Sequence, residues 1–210
     1  MEINENSGET MSYTVANMLR APDPTLFVKA FNANARPHME SAGASRIRIS
    51  QTVMGGEQAG VIGVAVEFDS IDSAVAGISA ASAAAAPKMQ EAGIQLISRV
   101  LVQTKAERGT PDGSFGSILQ VSGDPIDDAT WASNADTYWS HMSAGSTGQR
   151  FGQMIAAGER TGRYIAVTWT DSLSALQEAS TAMFADASIQ QLLANQNSQM
   201  ISRTMFRQIG

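Results

Sequence analysis

An internal repeat constrains the fold of this chain more than any other feature. DSIDSA from Asp69 returns as DSLSA from Asp171, and ISRVLVQ from Ile97 returns as ISRTMFRQ from Ile201. The copies lie about 100 residues apart and occur in the same order, which is typical of a duplicated structural unit. The 210 residues therefore contain two related halves, each long enough to bury a core of its own.

Both halves predict the same order of secondary structure, because alternating apolar residues mark strands and apolar residues at helical spacing mark helices. In the first half Asp23 is a predicted helix cap, Gly43 ends that helix, and Pro87 is expected to break the second helix. The elements expected in the first half are strand 13–20, helix 25–42, strands 46–54 and 60–68, helix 69–92 and a strand from 94. Those expected in the second half are strand 115–121, helix 125–142, strands 149–157 and 163–170, helix 173–195 and strand 200–208.

The order β-α-β-β-α-β in each half is that of a ferredoxin-like unit, in which two helices cover one face of a four-stranded antiparallel sheet. Residues 60–68 are apolar at both odd and even positions, so the second face of the sheet also requires cover. We expect an α+β fold in which two tandem ferredoxin-like units pack sheet to sheet. The expected boundaries are a flexible N-terminus at 1–10, a first unit at 11–104, a polar linker at 105–114 and a second unit at 115–210.

With this element order and the D-S helix starts at Asp69 and Asp171, the chain resembles the dimeric α+β barrel superfamily, here as a tandem duplication in one chain. The resemblance implies a pseudo-dimeric α+β barrel. That superfamily contains cofactor-independent monooxygenases, haem-degrading enzymes, isomerases and lyases, so the fold by itself does not define an activity. It implies instead a place for a ligand, either between a sheet and its helices or inside the barrel.

Composition excludes several classes of partner and site. The formal net charge is −6 and the basic residues are isolated, so we expect no binding of nucleic acid, which requires a basic surface. The chain has no cysteine, which excludes disulfides and thiolate sites. An acidic, polar N-terminus and the lack of an apolar run of about 18 residues predict a cytoplasmic protein without a membrane partner. We expect no metal site and no cofactor.

The two histidines, His38 in PHMESAGAS and His141 in SHMSAGST, occupy similar places in the repeat. A repeated histidine suggests a pair that binds a metal or transfers protons near neutral pH. However, His141 lies two residues further from its expected helix start at Asp124 than His38 lies from Asp23, and two residues turn a helix by about 200°. The two side chains are therefore predicted to face different ways. Structural packing is the alternative for both, and His38 is the better catalytic candidate.

Arg99 and Arg203 are equivalent positions of the ISR repeat, and each lies on a strand among apolar neighbours. A guanidinium in such surroundings requires a partner, either a carboxylate of the protein or an anionic ligand. One interpretation is an ion pair with Glu67 or another acid. The other is a carboxylate-bearing ligand held inside the barrel, with Arg99 and Arg203 as its ligand-binding residues.

Asn17, in the first strand, is a second catalytic candidate by resemblance. Cofactor-independent oxygenases of the superfamily use an asparagine on the first strand together with a tryptophan and a histidine, and Asn17 stands at a similar place. Two departures count against this role. The second helix has no histidine, and Ile118 is the expected counterpart of Asn17 in the second half.

Together these observations predict a protein that binds a small, partly apolar organic ligand within the α+β barrel. One alternative is an enzyme similar to cofactor-independent monooxygenases or isomerases, and another is a non-catalytic structural or assembly protein. Because the second unit supplies a partner sheet, a monomer with an internal pseudo-twofold axis fits the sequence as well as a homodimer does.

Overall fold

The computed structural model describes residues 12–210, so the expectation for residues 1–10 lies outside the described part of the chain. Strands β1 to β8 are Tyr13–Arg20, Arg46–Met54, Ile62–Phe68, Gln95–Gly109, Phe115–Ser122, Gly148–Ala156, Tyr164–Thr170 and Gln199–Gln208. Helices α1 to α6 are Pro24–Asn34, Arg36–Ser41, Ile71–Glu91, Asp128–Met142, Leu173–Ala185 and Ala187–Asn195. We call β1–β4 with α1–α3 the first unit and β5–β8 with α4–α6 the second unit.

The eight strands form one closed antiparallel barrel in the order β1-β3-β2-β8-β5-β7-β6-β4. Within each unit the order is that of a ferredoxin-like sheet, and the units join at two seams. At one seam β2 pairs with β8, with Ser50 opposite Gln208, and at the other β4 pairs with β6, with Gln103 opposite Gln153. The predicted α+β fold of two tandem ferredoxin-like units is confirmed, and closure of the barrel leaves no free sheet edge.

The two hairpin turns repeat each other closely. Gly56 and Gly158 each begin a single turn of 3-10 helix, both with φ of 60°. Gly60 and Gly162 then follow with φ of 81° and 89°. Glycine adopts a positive φ at little cost, so these glycines recur at the same spacing because the two turns have the same conformation.

Strand β4 is longer than the sequence predicts. It continues to Gly109, where the chain was expected to be a linker from residue 105. Residues 105–109 remain extended because β6 of the second unit pairs with them, with Arg108 opposite Gln149 and Gly109 opposite Gly148. A polar sequence therefore forms a strand here because a partner edge satisfies its backbone groups.

Two predicted helices are each divided in two. The helix expected over 25–42 breaks at Ala35, close to Pro37, which lies at the start of α2 and has no backbone N–H to continue the hydrogen bonds of α1. The helix expected over 173–195 breaks at Asp186, whose side chain accepts a hydrogen bond of 2.7 Å from the backbone N–H of Ser188 and so begins α6.

Helix α3 shows the opposite departure from expectation. Pro87 was predicted to break it, yet the helix runs without interruption to Glu91. Its inner face is held to the sheet by buried Ala74, Ile78 and Ala81. Packing along the helix outweighs the loss of one backbone hydrogen bond near the C-terminal end.

The helices of the first unit pack on the outer surface of its strands. The buried cluster between them includes Phe27, Phe31, Ile49, Val66 and Phe68. Within residues 12–210 no helix is both long and apolar enough to span a membrane.

Candidate functional site

A cavity of about 460 Å³ lies between the helices of the first unit and the outer face of its sheet. Its volume lies within the range of about 300–1,000 Å³ that is usual for small-molecule sites. The lining is mainly apolar, with a few polar side chains at one side. The lining includes Asn17, Phe27, Phe31, Asn34, Met39, Ser82, Ala85, Lys88, Met89 and Arg99.

The cavity exists because the helix that covers it carries small side chains. Ala81, Ala85 and Ala86 of α3 all face it, and a methyl group cannot reach across the space between a helix and a sheet. On the α1 side the rings of Phe27 and Phe31 lie 5.9 Å apart, centroid to centroid, and form an aromatic wall. The first unit thus provides an apolar surface with unfilled space beside it.

Asn17 and Arg99 meet on the floor of this cavity. They are directly opposite each other on β1 and β4, and the Arg99 Nε donates a hydrogen bond of 2.6 Å to the Asn17 Oδ1. The Arg99 Nη2 donates one of 3.2 Å to the Ser82 hydroxyl. Asn17 is buried, and burial lowers the pKa of the Arg99 guanidinium below its usual value. Two of the sequence-predicted site residues are therefore brought together.

The structure does not pair Arg99 with Glu67. Asn17 and Arg99 face the helices, whereas Glu67 faces the interior of the barrel on the other side of the sheet. Neighbouring residues along a strand point to opposite faces of the sheet, so an error of one position would assign Glu67 to the opposite face. The partner of Arg99 is a neutral amide.

The second unit has a cavity at the corresponding place, but it measures only about 180 Å³. Aromatic rings occupy the space: Trp131 contacts Tyr164 edge to face at 5.0 Å, and Tyr138 stacks on Phe151 at 5.7 Å. Burial raises the pKa of Tyr138 to about 12.

The counterpart of Asn17 in the second unit is Leu119, not Ile118. Leu119 lies opposite Arg203 just as Asn17 lies opposite Arg99, whereas Ile118 faces the barrel interior. Because the Leu119 side chain offers no acceptor, Arg203 donates instead to the amide oxygen of Gln177, Oε1, at 3.0 Å, and it does not line the second cavity. The equivalent arginines thus have different surroundings.

Neither histidine lines either cavity. His38 is exposed on α2, and His141 is half-buried at the end of α4. The comparison of their helical positions used Asp124 as a cap, but α4 begins after Asp127, whose carboxylate accepts from the Thr130 N–H at 2.7 Å. Over residues 12–210 no three metal-ligating side chains cluster together.

A network of ion pairs lies inside the barrel and joins the two units. Arg150 of β6 contacts both Glu67 of β3 and Glu107 of β4, and Arg48 of β2 donates to Glu67 at 3.2 Å. Arg48 also donates to the backbone carbonyl of Pro111, in the connection between the units. The network lines an interior cavity of about 100 Å³ and also a second, more polar cavity of about 500 Å³. These contacts hold the two sheets together around a narrow interior.

The pKa values of Arg48 and Arg150 shift in opposite directions. Burial, and then the charge of Arg46, lower the pKa of Arg48 to about 10. Burial also acts to lower the pKa of Arg150, but its hydrogen bonds and charge contacts with Glu67 and Glu107 outweigh this and raise it. Both guanidinium groups lie over the ring of Trp169, at 4.9 and 5.7 Å from its centroid.

Sequence reasoning did not find this network, although a signal was present. In RIRIS, Arg46 and Arg48 alternate with apolar residues on a strand, and Glu67 lies near the end of the next strand of the same hairpin. When one face of a strand is charged and the other is apolar, the charged face meets either solvent or buried partners of opposite charge. The sequence could not choose between these, since the second sheet that covers them lies about 100 residues away.

No family model matches this chain, and no curated protein matches its sequence. Solved structures do match, over nearly the whole length. A double mutant of chlorite dismutase from Candidatus Nitrospira defluvii has a TM-score of 0.63 at 9% identity, covering 95% of this chain and 92% of that one. A haem-binding protein from Thermus thermophilus has a TM-score of 0.56 at 10% identity, covering 95% and 91%. An anthrone oxidase-like protein has a TM-score of 0.56 at 12% identity, covering 95% and 92%.

This chain therefore shares the α+β barrel fold of these structures. Both units lie in one chain, and the matched structures are covered from 91% to 92% of their own length, so the likeness includes the duplication. At these identities the likeness concerns the fold, and the chemistry has to be argued from the residues of this chain.

The residues that line these two cavities do not fit a haem group. Haem iron takes an axial histidine, thiolate or tyrosine. The first cavity is lined by none of these, and its two methionines, Met39 and Met89, are not accompanied by histidine. In the second cavity, burial raises the pKa of Tyr138, which opposes formation of a tyrosinate ligand, and the Tyr164 hydroxyl donates to the Asp124 carbonyl at 2.6 Å. Neither cavity therefore provides an axial ligand suited to haem iron.

Proposed function

We propose that this protein binds a small, partly apolar organic molecule in the cavity of the first unit. The cavity itself is the observation that supports the proposal: about 460 Å³ of space bounded by apolar side chains, with Asn17 and Arg99 as convergent polar groups. Apolar walls supply binding free energy as they leave water, and a few fixed polar groups set orientation.

A substitution that fills the cavity tests this proposal. Ala85 faces the cavity from α3, so Ala85→Leu places three more carbon atoms in the space that the ligand would occupy. We expect the wild-type chain to bind a neutral fluorescent naphthylamine dye and Ala85→Leu to bind it about tenfold more weakly or worse. Dye fluorescence during titration measures both affinities.

The matched control is Ala84→Leu, the same change one residue earlier. Ala84 is exposed on α3 and does not line the cavity, so dye affinity should stay at the wild-type level. If the wild-type chain binds no dye, or if both leucine variants bind equally well, the proposed site is wrong. The first result would favour a non-catalytic structural role for the fold.

A second candidate function is oxidation of the bound molecule by O₂ without a cofactor. The placement of Asn17 favours it, because Asn17 lies on the first strand, is buried, and faces the cavity. Its amide nitrogen can donate to a substrate oxygen that becomes negatively charged during the reaction. No tryptophan or histidine lines this cavity, so Asn17 would act without the partners expected from the resemblance.

Anthrone is a suitable test substrate, because one structural neighbour is described as anthrone oxidase-like. The reaction would convert anthrone and O₂ to anthraquinone and water: the two methylene C–H bonds break, one oxygen atom becomes the new carbonyl, and the other leaves as water. We expect oxygen uptake to fall about 100-fold in Asn17→Ala, the usual loss for one donor to a developing oxyanion. Asn134→Ala, which removes a buried asparagine beside the second cavity, should leave uptake unchanged.

An unchanged rate in Asn17→Ala, or no uptake above the uncatalysed rate in the wild-type chain, would rule out this second function. It would leave the binding proposal intact, because dye binding is measured independently.

A further inference from the structure

Two positively charged side chains line the first cavity, and among residues 12–210 neither has a negatively charged partner. Arg99 donates to the Asn17 amide oxygen at 2.6 Å and to the Ser82 hydroxyl at 3.2 Å. Lys88 donates to the Asn34 amide oxygen at 2.8 Å. All of these acceptors are neutral, and the residues that line the cavity include no aspartate or glutamate.

Some other arginines in the described part of the chain do have carboxylate partners, although Arg203 also donates to a neutral amide. Arg150 lies between two carboxylates, and Arg108 is paired with Asp136 at 2.6 Å. The chain as a whole has 20 acidic and 14 basic residues, so carboxylates are available in excess. Arg99 and Lys88 are both exposed residues, so solvent reaches their charged groups, and their neutral partners leave each charge free to pair with an anion at the cavity.

Hydrogen-bond donors are also left over on the same side of the cavity. Among the described residues, none accepts a hydrogen bond from the Asn17 amide nitrogen or from the Arg99 Nη1. The Asn17 Oδ1 is already used by Arg99, which fixes the orientation of the amide and leaves its N–H₂ available. A planar guanidinium beside an amide donor matches the two oxygens of a carboxylate.

We propose that the ligand is an apolar carboxylic acid in its ionised form. Its carboxylate lies against Arg99 and Asn17, and Lys88 adds a second positive charge. Its apolar body lies against Phe27 and Phe31 on the α1 side of the cavity. This inference rests on the proposed function, because it names the class of molecule that the first cavity binds.

The difference between the two units supports the assignment. In the second unit Leu119 replaces the amide, Arg203 bonds to Gln177 away from the cavity, and aromatic rings take up most of the space. The second cavity therefore has neither the charge nor the volume of the first. We expect one carboxylate site per chain, in the first unit.

Calorimetric titration with naphthaleneacetic acid and naphthaleneacetamide tests the inference. The two probes have nearly the same shape and differ in charge. We expect the acid to bind the wild-type chain about tenfold more tightly than the amide, the size of effect that one charge-assisted hydrogen bond gives. The calorimetric stoichiometry for the acid should be one per chain.

Substitutions of Arg99 then locate the charge. Arg99→Gln should weaken the acid about tenfold and leave the amide nearly unchanged, so that the preference for the acid disappears. Arg99→Lys should keep part of the preference, because the charge remains and the planar fork is lost. The control is Arg207→Gln, which removes one positive charge from an exposed position on β8 of the second unit and should alter neither affinity.

The outcomes separate this inference from the proposed function. If both probes bind with equal affinity and Arg99→Gln changes neither, the ligand is not a carboxylate and the binding site stands. If neither the probes nor the neutral dye bind, the proposed function is wrong as well. If Arg99→Gln does not fold, two other results would each overturn the inference. One is equal binding of the acid and the amide to Arg99→Lys. The other is tighter binding of the amide than of the acid to the wild-type chain.

Discussion

The two units of this barrel share one backbone plan and differ in what they place between sheet and helices. In the first unit an alanine-rich helix leaves about 460 Å³ of space beside Asn17 and Arg99. In the second unit aromatic rings reduce the corresponding space to about 180 Å³, and Leu119 stands where Asn17 would be. The two units thus keep the same architecture, while the cavity between helices and sheet is less than half as large in the second unit as in the first.

A second contrast lies inside the barrel, where Glu67 and Trp169 occupy equivalent positions on β3 and β7. Glu67 lies opposite Thr14 of β1, and Trp169 lies opposite Gly116 of β5. Both contact the equivalent pair Arg48 and Arg150. One unit thus supplies a charge and the other an aromatic face to the same two guanidinium groups.

The largest effect on stability is expected when Glu67 loses its negative charge. Glu67→Gln keeps the shape of the side chain but leaves Arg150 and Arg48 with less negative charge in a buried site. The free energy of unfolding should fall by about 3–5 kcal/mol, as it does when one partner of a buried ion pair is removed. Urea denaturation followed by circular dichroism measures the change.

The comparison variant is Trp169→Phe, which keeps an aromatic face over the arginines. It should lower the free energy of unfolding by roughly 1–2 kcal/mol. A larger loss in Trp169→Phe than in Glu67→Gln would mean that packing, and not charge, holds the two units together.

An intermediate effect is expected when the two cavities are made more alike. Tyr138→Ala removes a ring that stacks on Phe151 and enlarges the second cavity, which should cost about 3 kcal/mol of unfolding free energy. Ala85→Leu fills existing space in the first cavity and should leave the free energy of unfolding within about 1 kcal/mol of wild type. Thermal or urea unfolding of the two variants checks the contrast.

Equal destabilisation by these two changes would contradict the difference between the cavities. It would show that the space beside Ala85 closes up in solution and that the first unit is as fully packed as the second.

The smallest effect concerns the helices that cover the sheets. Asp186 caps α6 through the Ser188 N–H, whereas α3 of the first unit continues through its counterpart, Ala84. Asp186→Ala should lower the melting temperature by about 2–4 °C at pH 7. Differential scanning calorimetry is sensitive enough to measure this.

The effect of Asp186→Ala should also depend on pH. The hydrogen bond from Ser188 lowers the pKa of the Asp186 carboxyl, so its contribution to stability is present above the ordinary carboxyl pKa and is lost as pH falls through the lowered value. The difference between variant and wild type should therefore shrink from pH 7 to pH 3. A difference that is the same at both values would mean that the carboxylate does not act as the cap.

Local sequence signals predicted much of the fold. The bounds of β1 and β2 agree with the alternation of their residues, and Asp23 caps α1 with hydrogen bonds of 2.8 and 3.0 Å. Helix interruptions were predicted less well, because an isolated proline or aspartate acts against packing that only the assembled helix provides. Pro87 did not break α3, and Asp186 divided a helix that had no proline.

The candidate site was predicted in part. Arg99 and Asn17 were each identified from the sequence, but for different reasons, and nothing in the sequence indicated that they would bond to each other across β1 and β4. His38, the preferred catalytic residue, lies exposed on a short helix whose direction changes at Ala35. A helical register counted across that break cannot place the side chain.

The sequence by itself determined the duplication, the strand and helix order, and hence the two ferredoxin-like units, because these follow from local periodicity and from repeated segments. Only the tertiary structure decided which face each charged side chain occupies, and that β4 extends across the seam to pair with β6. It alone showed that one unit keeps a cavity and the other fills it. The physical reason is that burial, pairing and free volume depend on side chains that meet across about 100 residues of chain, which local patterns do not record.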